Sequence, residues 1–336
     1  MPLSPMPGKE IGFSLPLRDS EGRLPRRNPR AAGEDGPRSG RSPLSPRLVG
    51  PTRVVGILNL TPDSFSDGGQ WSDPKKAAER AAQMAEEGAA LIDIGGQSTR
   101  PGHLEVTAAE EIGRVIPVVE RLAASHPQLL LSIDTFKPEV ARAALAAGGH
   151  WLNDIHGFQG DPAMAAVAAD FGCPVVLMHH ERGFSNAAGD TMDRIKRYFD
   201  RSLKIAAAAG VPADRVVLDP GVGFFKTADQ SLEVIARLAE LKSFGLPLLI
   251  GVSRKSVIGH VVGGTPQDRL EGTLAATVLA VIQGVDFVRV HDVLANYRAI
   301  KMTSAILEKR SSSAFAKPSA DLRPPSSGSG GLALPT

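Results

Sequence analysis

Val54-Val55-Gly56-Ile57-Leu58-Asn59-Leu60-Thr61-Pro62-Asp63-Ser64-Phe65-Ser66-Asp67-Gly68-Gly69 is a stretch in which an apolar run breaks into a polar, glycine-rich loop. A parallel strand buried on both faces reads as a continuous aliphatic run, as Val54 to Leu58 does. Asn59 stands where that strand leaves the core. In α/β folds the carboxyl ends of strands carry the ligand sites, because loops there are free to vary while strands hold them fixed. Outward from this stretch the chain repeats the design: apolar strand, polar residue at its end, loop, helix.

The expected strands are Arg53–Leu60, Leu91–Gly95, Leu129–Asp134, Trp151–Ile155, Pro174–His179, Val216–Asp219, Pro247–Ser253 and Phe287–Asp292. Between and after them lie Ala-rich helical stretches: Pro74–Glu87, Ala108–Ala124, Pro138–Ala147, Pro162–Phe171, Thr191–Ala209, Ser231–Lys242, Gln267–Gln283 and Leu294–Glu308. Several open on a Pro or a Ser/Thr/Asp cap, and many close near Gly. Eight β/α pairs in one domain, residues 51–310, are what a single (β/α)8 TIM barrel of the α/β class requires. An open doubly wound sheet usually has fewer strands.

The chain has 336 residues, 42% of them apolar, enough for one large core or two modest ones. Its formal charge of +2 is unevenly spread: residues 1–50 carry nine basic side chains against five acidic ones, a surplus of four. That basic, Pro/Gly/Ser/Arg-rich extension has no apolar period, so it is expected to be disordered, as is the Ser/Pro/Gly-rich tail 311–336. No nucleic-acid surface is suggested on the folded part. The single cysteine, Cys173, allows no internal disulfide and fits a reducing compartment. No apolar run approaches the ~20 residues of a membrane span, and the expected location is cytoplasmic.

Read off the strand ends, the polar residues form a set: Asn59, Asp93, Asp134, Asn153, His179, Asp219, Lys255, Arg289 and His291. Asp93 and Asp154, taken alone, read as caps of the loops they precede. Together the set points to one mouth lined with acid, amide and base groups. Asp219 and Asn153 suit a flat heterocycle with adjacent N–H donors, and Lys255 supplies a point charge. Arg289 can stack on a ring or clamp an anion, and in an extended strand His291 would share its face. Other motifs fail inspection. Gly221-Val222-Gly223 has Phe224 through Lys226 after it rather than a third glycine, Asp63 to Gly68 has Phe65 at a Ca²⁺ ligand position, and His179-His180 point to opposite faces.

These stretches resemble the dihydropteroate synthases. The likeness is carried by Gly56–Gly69, by Asp93-Ile94-Gly95-Gly96-Gln97-Ser98-Thr99-Arg100-Pro101-Gly102, and by Ser132-Ile133-Asp134-Thr135. It continues through Asn153-Asp154, Leu177-Met178-His179 and Asp219-Pro220-Gly221-Val222-Gly223-Phe224 to Gly251-Val252-Ser253-Arg254-Lys255-Ser256 and Arg289-Val290-His291-Asp292-Val293. The resemblance implies a barrel that joins dihydropterin-6-ylmethyl diphosphate to p-aminobenzoate with Mg²⁺, is a sulfonamide target and forms a homodimer. It implies pterin contacts from Asp134, Asn153, Asp219, Lys255, Arg289 and Met178, and a metal contact from Asn59. Thr99, Arg100, Arg289 and His291 would hold the diphosphate. Phe65, Pro101, Phe224, Ser253 and Lys255 would frame the p-aminobenzoate slot. The catalytic set is then Asp134, Lys255, Arg289 and His291.

The sequence departs from the family pattern at Gln97, where Glu is common, at His156, at the loop after His179 and at Phe225, where Gly is usual. Two other readings share the residues. One is a pterin- or folate-binding paralogue or methyltransferase-type module that does not condense p-aminobenzoate. The other is a Schiff-base aldolase using Lys255, with Arg254 beside it.

Overall fold

The computed structural model describes residues 52–61, 73–98 and 105–314, with side chains through Arg310. Eight strands form one parallel sheet in the order β6-β5-β4-β3-β2-β1-β8-β7. They are β1 (Arg53–Asn59), β2 (Ala89–Gly95), β3 (Leu131–Asp134), β4 (Trp151–Asp154), β5 (Val175–Met178), β6 (Val216–Asp219), β7 (Leu249–Ile250) and β8 (Phe287–Val290). The two ends meet at a single parallel bridge between Leu218 and Leu248, where the Leu218 N–H donates to the Pro247 carbonyl at 2.9 Å. The sheet thus closes into the expected barrel.

The helices are α1 (Pro74–Glu86), α2 (Ala108–Ser125), α3 (Pro138–Ala147), α4 (Ala163–Phe171), α5 (Thr191–Ala208), α6 (Ala228–Ala236), α7 (Ser256–Val262), α8 (Leu270–Ile282) and α9 (Val293–Ala314). Local chemistry starts several of them. The Asp73 carboxylate accepts from the Lys75 N–H ahead of Pro74, and Thr227 with Gln230 forms a reciprocal capping box on α6. Among the described residues no helix is long and apolar enough to cross a membrane.

Several expectations about element bounds needed correction: Ser231–Lys242 is a helix over Ala228–Ala236 followed by a 3-10 segment over Leu238–Phe244, and the strand Phe287–Asp292 ends at Val290. The run Pro247–Ser253 supplies only a two-residue strand, because Gly251 and the turn around Arg254, at φ +56°, end it. Ser256–Val262, a β-branched and uncapped stretch, is a short helix that periodicity could not distinguish. Finally, α9 continues to Ala314, past the boundary at 310, since no Gly or Pro interrupts it there. The extension 1–50 and the segment 315–336 lie outside the described residues.

Side-chain alternation builds the site directly. Val55, Leu91, Trp151, Val176, Val217, Leu249 and Phe287 form a separate buried cluster, one residue from each strand but β3, with the Trp151 and Phe287 rings edge to face at 5.6 Å. This is the plug of the barrel interior, and each such side chain contributes on the order of 2 kcal/mol by leaving water. Residues two further along a strand share its face. Leu91 is followed in this way by Asp93, Trp151 by Asn153, Val176 by Met178, Val217 by Asp219, and Phe287 by Arg289. A polar layer therefore sits on an apolar floor.

Candidate active site

Register aligns the rim. Asn59, Gly95, Asp134 and Asn153 are successive partners across β1 to β4, and Met178 pairs with Asp219 across β5 and β6. From β8, Arg289 reaches across this layer. Its Nε lies 2.5 Å from Asp93 Oδ2 and its Nη2 lies 2.6 Å from Asp134 Oδ2. The Asn153 amide donates to the same Asp93 oxygen at 2.9 Å. One cation and one amide thus tie four strands together. Among the described residues, the remaining carboxylate oxygens, Oδ1 of Asp93 and Oδ1 of Asp134, are buried without a donor. Buried acceptors in that state suit a donor from water or from a ligand.

On the opposite side stand Asp219 and Lys255. Asp219 Oδ1 accepts from the Gly221 N–H at 2.8 Å, which fixes the turn after β6. Gly221 has φ +63°, and a Cβ there would stand 2.2 Å from the His179 carbonyl oxygen, so only glycine lets this loop lie against β5. Lys255, just ahead of α7, donates from Nζ to the Val222 carbonyl at 2.6 Å and sits 4.7 Å above the Phe224 ring. Lys255 and Arg289 flank Gly251: a Cβ there would be in ordinary contact with both, 3.9 Å from Lys255 Nζ and 3.7 Å from Arg289 Cβ.

Electrostatics follow from burial. Desolvation pushes the Asp134 carboxyl up, against the pull of Arg289 and with the help of Asp93. Burial likewise raises Asp219, opposed by Lys255. Burial brings the Lys255 ammonium down to about 8 despite the attraction of Asp219. Arg254 plays no part in that shift: it turns away and grips Asp292 at 2.6 Å. Arg289 is held above its ordinary value, because Asp93 and Asp134 outweigh its desolvation.

At the end of β8, Ser253 Oγ lies 3.0 Å from His291 Nδ1 and accepts from the His291 backbone N–H at 3.2 Å. That pair of contacts fixes the orientation of the His291 ring. The strand ends at Val290, so His291 is set by Ser253 rather than by simple alternation from Arg289.

A family model described as pterin binding enzyme matches residues 55–291, which takes in the rim residues from Asn59 to His291. The chain belongs to the pterin binding enzymes. A curated dihydropteroate synthase of Clostridium beijerinckii is 44% identical over 261 residues, covering 77% of this chain and 95% of the relative. Among solved structures, a Clostridium difficile dihydropteroate synthase in the presence of pteroic acid superposes with a TM-score of 0.73 at 48% identity, covering 76% of this chain and 97% of the other. A Yersinia pestis dihydropteroate synthase in complex with a sulfonamide drug gives 0.74 at 42% identity, over 77% and 95%. A Xanthomonas albilineans dihydropteroate synthase with 7,8-dihydropteroate gives 0.70 at 41%, over 76% and 94%.

In this pterin binding enzyme, Asn59, Asp134, Asn153, Met178, Asp219, Phe224, Ser253, Lys255, Arg289 and His291 all lie at or just beyond the carboxyl ends of strands. Met178 is buried, its Cγ 3.2 Å from where a Gly221 Cβ would be. Phe65, Thr99, Arg100 and Pro101 lie outside the described residues. Asp154 is a cap, accepting from the His156 and Phe158 N–H groups. Asp93 is not one, and it is the residue that sequence reasoning undervalued. Its signal was a charge in the middle of the apolar run Leu91 to Gly95, where an unpaired carboxylate would be costly. Gln97 accepts from Lys137 at 2.5 Å and from the Val106 N–H at 3.2 Å, a structural rather than an acidic role.

The donor set also bears on Mg²⁺. The half-buried Asn59 amide oxygen lies 3.7 Å from where a Gly95 Cβ would stand, and Asp134 Oδ2, the oxygen that Arg289 holds, lies 3.5 Å from that same point. Among the described residues no group of three or more His, Cys, Asp or Glu gathers to cage an ion. Few hard oxygen ligands from protein suit a Mg²⁺ that takes its others from phosphate and water.

Proposed function

We propose that this chain is a dihydropteroate synthase. It condenses (7,8-dihydropterin-6-yl)methyl diphosphate with p-aminobenzoate to give 7,8-dihydropteroate and diphosphate. The observation that carries the reading is the buried Asp93–Arg289–Asp134–Asn153 cluster with two acceptor oxygens unmet by any described residue. A pterin edge bearing adjacent N–H donors is complementary to such acceptors. Asp219 and Lys255 would take the opposite polar edge, Met178 the ring face, and the flat side of Arg289 the other.

The reaction forms a bond from the aryl amine nitrogen to the pterin methylene carbon, breaks the carbon–oxygen bond to diphosphate, and releases one proton from nitrogen. Charge separates as that bond breaks, so preorganised groups matter most. Asp134 would stand where positive charge grows on the pterin. Arg289 and His291, with Thr99 and Arg100, would hold the departing diphosphate. Asn59 would hold a Mg²⁺ from the protein side, which would supply counter-charge to that diphosphate. Phe224, Ser253 and Lys255, with Phe65 and Pro101, would align the aryl amine, and alignment carries much of the rate.

A homodimer belongs to the same reading. Val261 and Val262 on α7, Leu279 and Ile282 on α8, and Leu294, Met302 and Ile306 on α9 are exposed apolar side chains on adjoining helices. Such a patch suits a second copy. A cytoplasmic location fits the lone, buried Cys173. Incubating the full chain with both substrates and Mg²⁺ should yield dihydropteroate and diphosphate. A folded protein that binds the pterin diphosphate but makes no product would instead be a non-condensing pterin module.

A further inference from the structure

Three of the positions at which the sequence leaves the family pattern meet in one place. His156 follows β4, His180 follows β5 and Phe225 follows β6, and their rings form a continuous column. Phe136 and His156 lie with ring centroids 4.6 Å apart, His156 and His180 4.6 Å apart, and His180 and Phe225 4.8 Å apart, edge to face. His180 also meets Phe224 at 5.7 Å. Phe224 in turn carries the Lys255 ammonium over its face.

The geometry around Phe225 calls for such support. It is a bulky residue at φ +50°, a conformation that L side chains rarely adopt, and it is 41% exposed. The residue preceding His180, just past the end of β5, acts on the same loop. His179 is buried, and its Nδ1 lies 2.8 Å from Lys226 Nζ, which also donates to the carbonyls of Gly221 at 2.9 Å and Phe224 at 3.3 Å. Two consecutive histidines, pointing oppositely, therefore grip the Gly221–Lys226 loop: His179 by its backbone through Lys226, His180 by its aromatic rings. Burial, with His156, Lys226 and Arg182 nearby, holds His180 down to about 4, so its ring packs as an uncharged one at neutral pH.

We infer that His180 is a positioning residue for the aryl-amine slot, holding Phe224 and Phe225 so that Phe224 presents a fixed wall to the p-aminobenzoate ring. The inference rests on the reading above that Phe224 frames that slot. Its test is steady-state kinetics of the full chain with Mg²⁺, varying each substrate in turn, for His180→Ala, His180→Phe and His180→Asn. Losing its ring contacts with Phe224 and Phe225, along with that to His156, should raise the KM for p-aminobenzoate about ten-fold in His180→Ala. The KM for the pterin diphosphate and kcat should stay within about two-fold, since neither depends on that wall. His180→Phe, which keeps a ring, should restore the p-aminobenzoate KM, and His180→Asn, which keeps polarity without one, should not.

An unchanged p-aminobenzoate KM in His180→Ala overturns the inference, as does an equal rise in both KM values or a Phe variant no better than Asn. Should the Ala variant not fold, the Phe and Asn pair decides alone. A wild-type chain that makes no dihydropteroate defeats the parent reading, an outcome separate from any of these.

Discussion

Arg289 Nε stands 2.5 Å from Asp93 Oδ2, and this contact joins β8 to β2 inside the barrel. Asp93 is buried, and the same oxygen receives the Asn153 amide. Asp93→Asn keeps the shape while removing the charge that Arg289 faces. Disrupting a buried ion pair on one side costs about 3 kcal/mol. Urea unfolding should show a loss of that order with an unchanged m-value, alongside weaker pterin binding.

Asp219 offers a cleaner separation of binding from stability. In Asp219→Asn the side-chain oxygen can still accept from the Gly221 N–H, so the β6 turn survives. What disappears is the negative acceptor for the ligand. Hydrogen bonds to charged groups are worth about 1.5–3 kcal/mol, so titration calorimetry should show pterin diphosphate binding at least ten-fold weaker. A melting temperature close to that of the wild type is expected.

Lys255 predicts an alkaline limb. Its ammonium is brought down to about 8 by burial, so it is charged below that pH and neutral above it. The charge that donates to the ligand is therefore lost as pH rises through about 8. The profile of kcat/KM, which reports the free enzyme, should fall there. Lys255→Arg should lower activity while removing that limb from the measurable range.

His179 predicts how acid destabilises the fold. Burial and the nearby Lys226 hold its imidazole down to about 2, against an ordinary value of 6.5. Between those values the unfolded chain binds a proton that the native state does not. This contribution to stability is complete above pH 6.5 and declines as pH falls, by about 1.4 kcal/mol per pH unit. His179→Gln should make the plot of unfolding free energy against pH between 4 and 6 shallower by one proton.

The regular part of this fold was legible because its strands are short aliphatic runs ending in a polar residue, and those ends are the site. Where reading failed, the physics was non-local. Asp93 looked like a loop cap because its partner, Arg289, is 196 residues away. Arg289 was expected to serve a ligand first, yet its Nε and Nη2 are engaged by carboxylates, leaving its face and Nη1. Ser256–Val262 hid its helical state because seven residues are too few for a period to show. The departures at His156, His180 and Phe225 were visible singly, but only the barrel's closure brings them into one column.

That closure has a weak point. Seven of the eight neighbouring strand contacts are ladders, whereas β6 and β7 are joined only by the Leu218–Leu248 bridge. Asp219 lies at the end of one of these staves and Lys255 just beyond the other. A molecule held by both works as a stitch across an open seam, and amide exchange along Leu248 to Ile250 should slow once the pterin is in place.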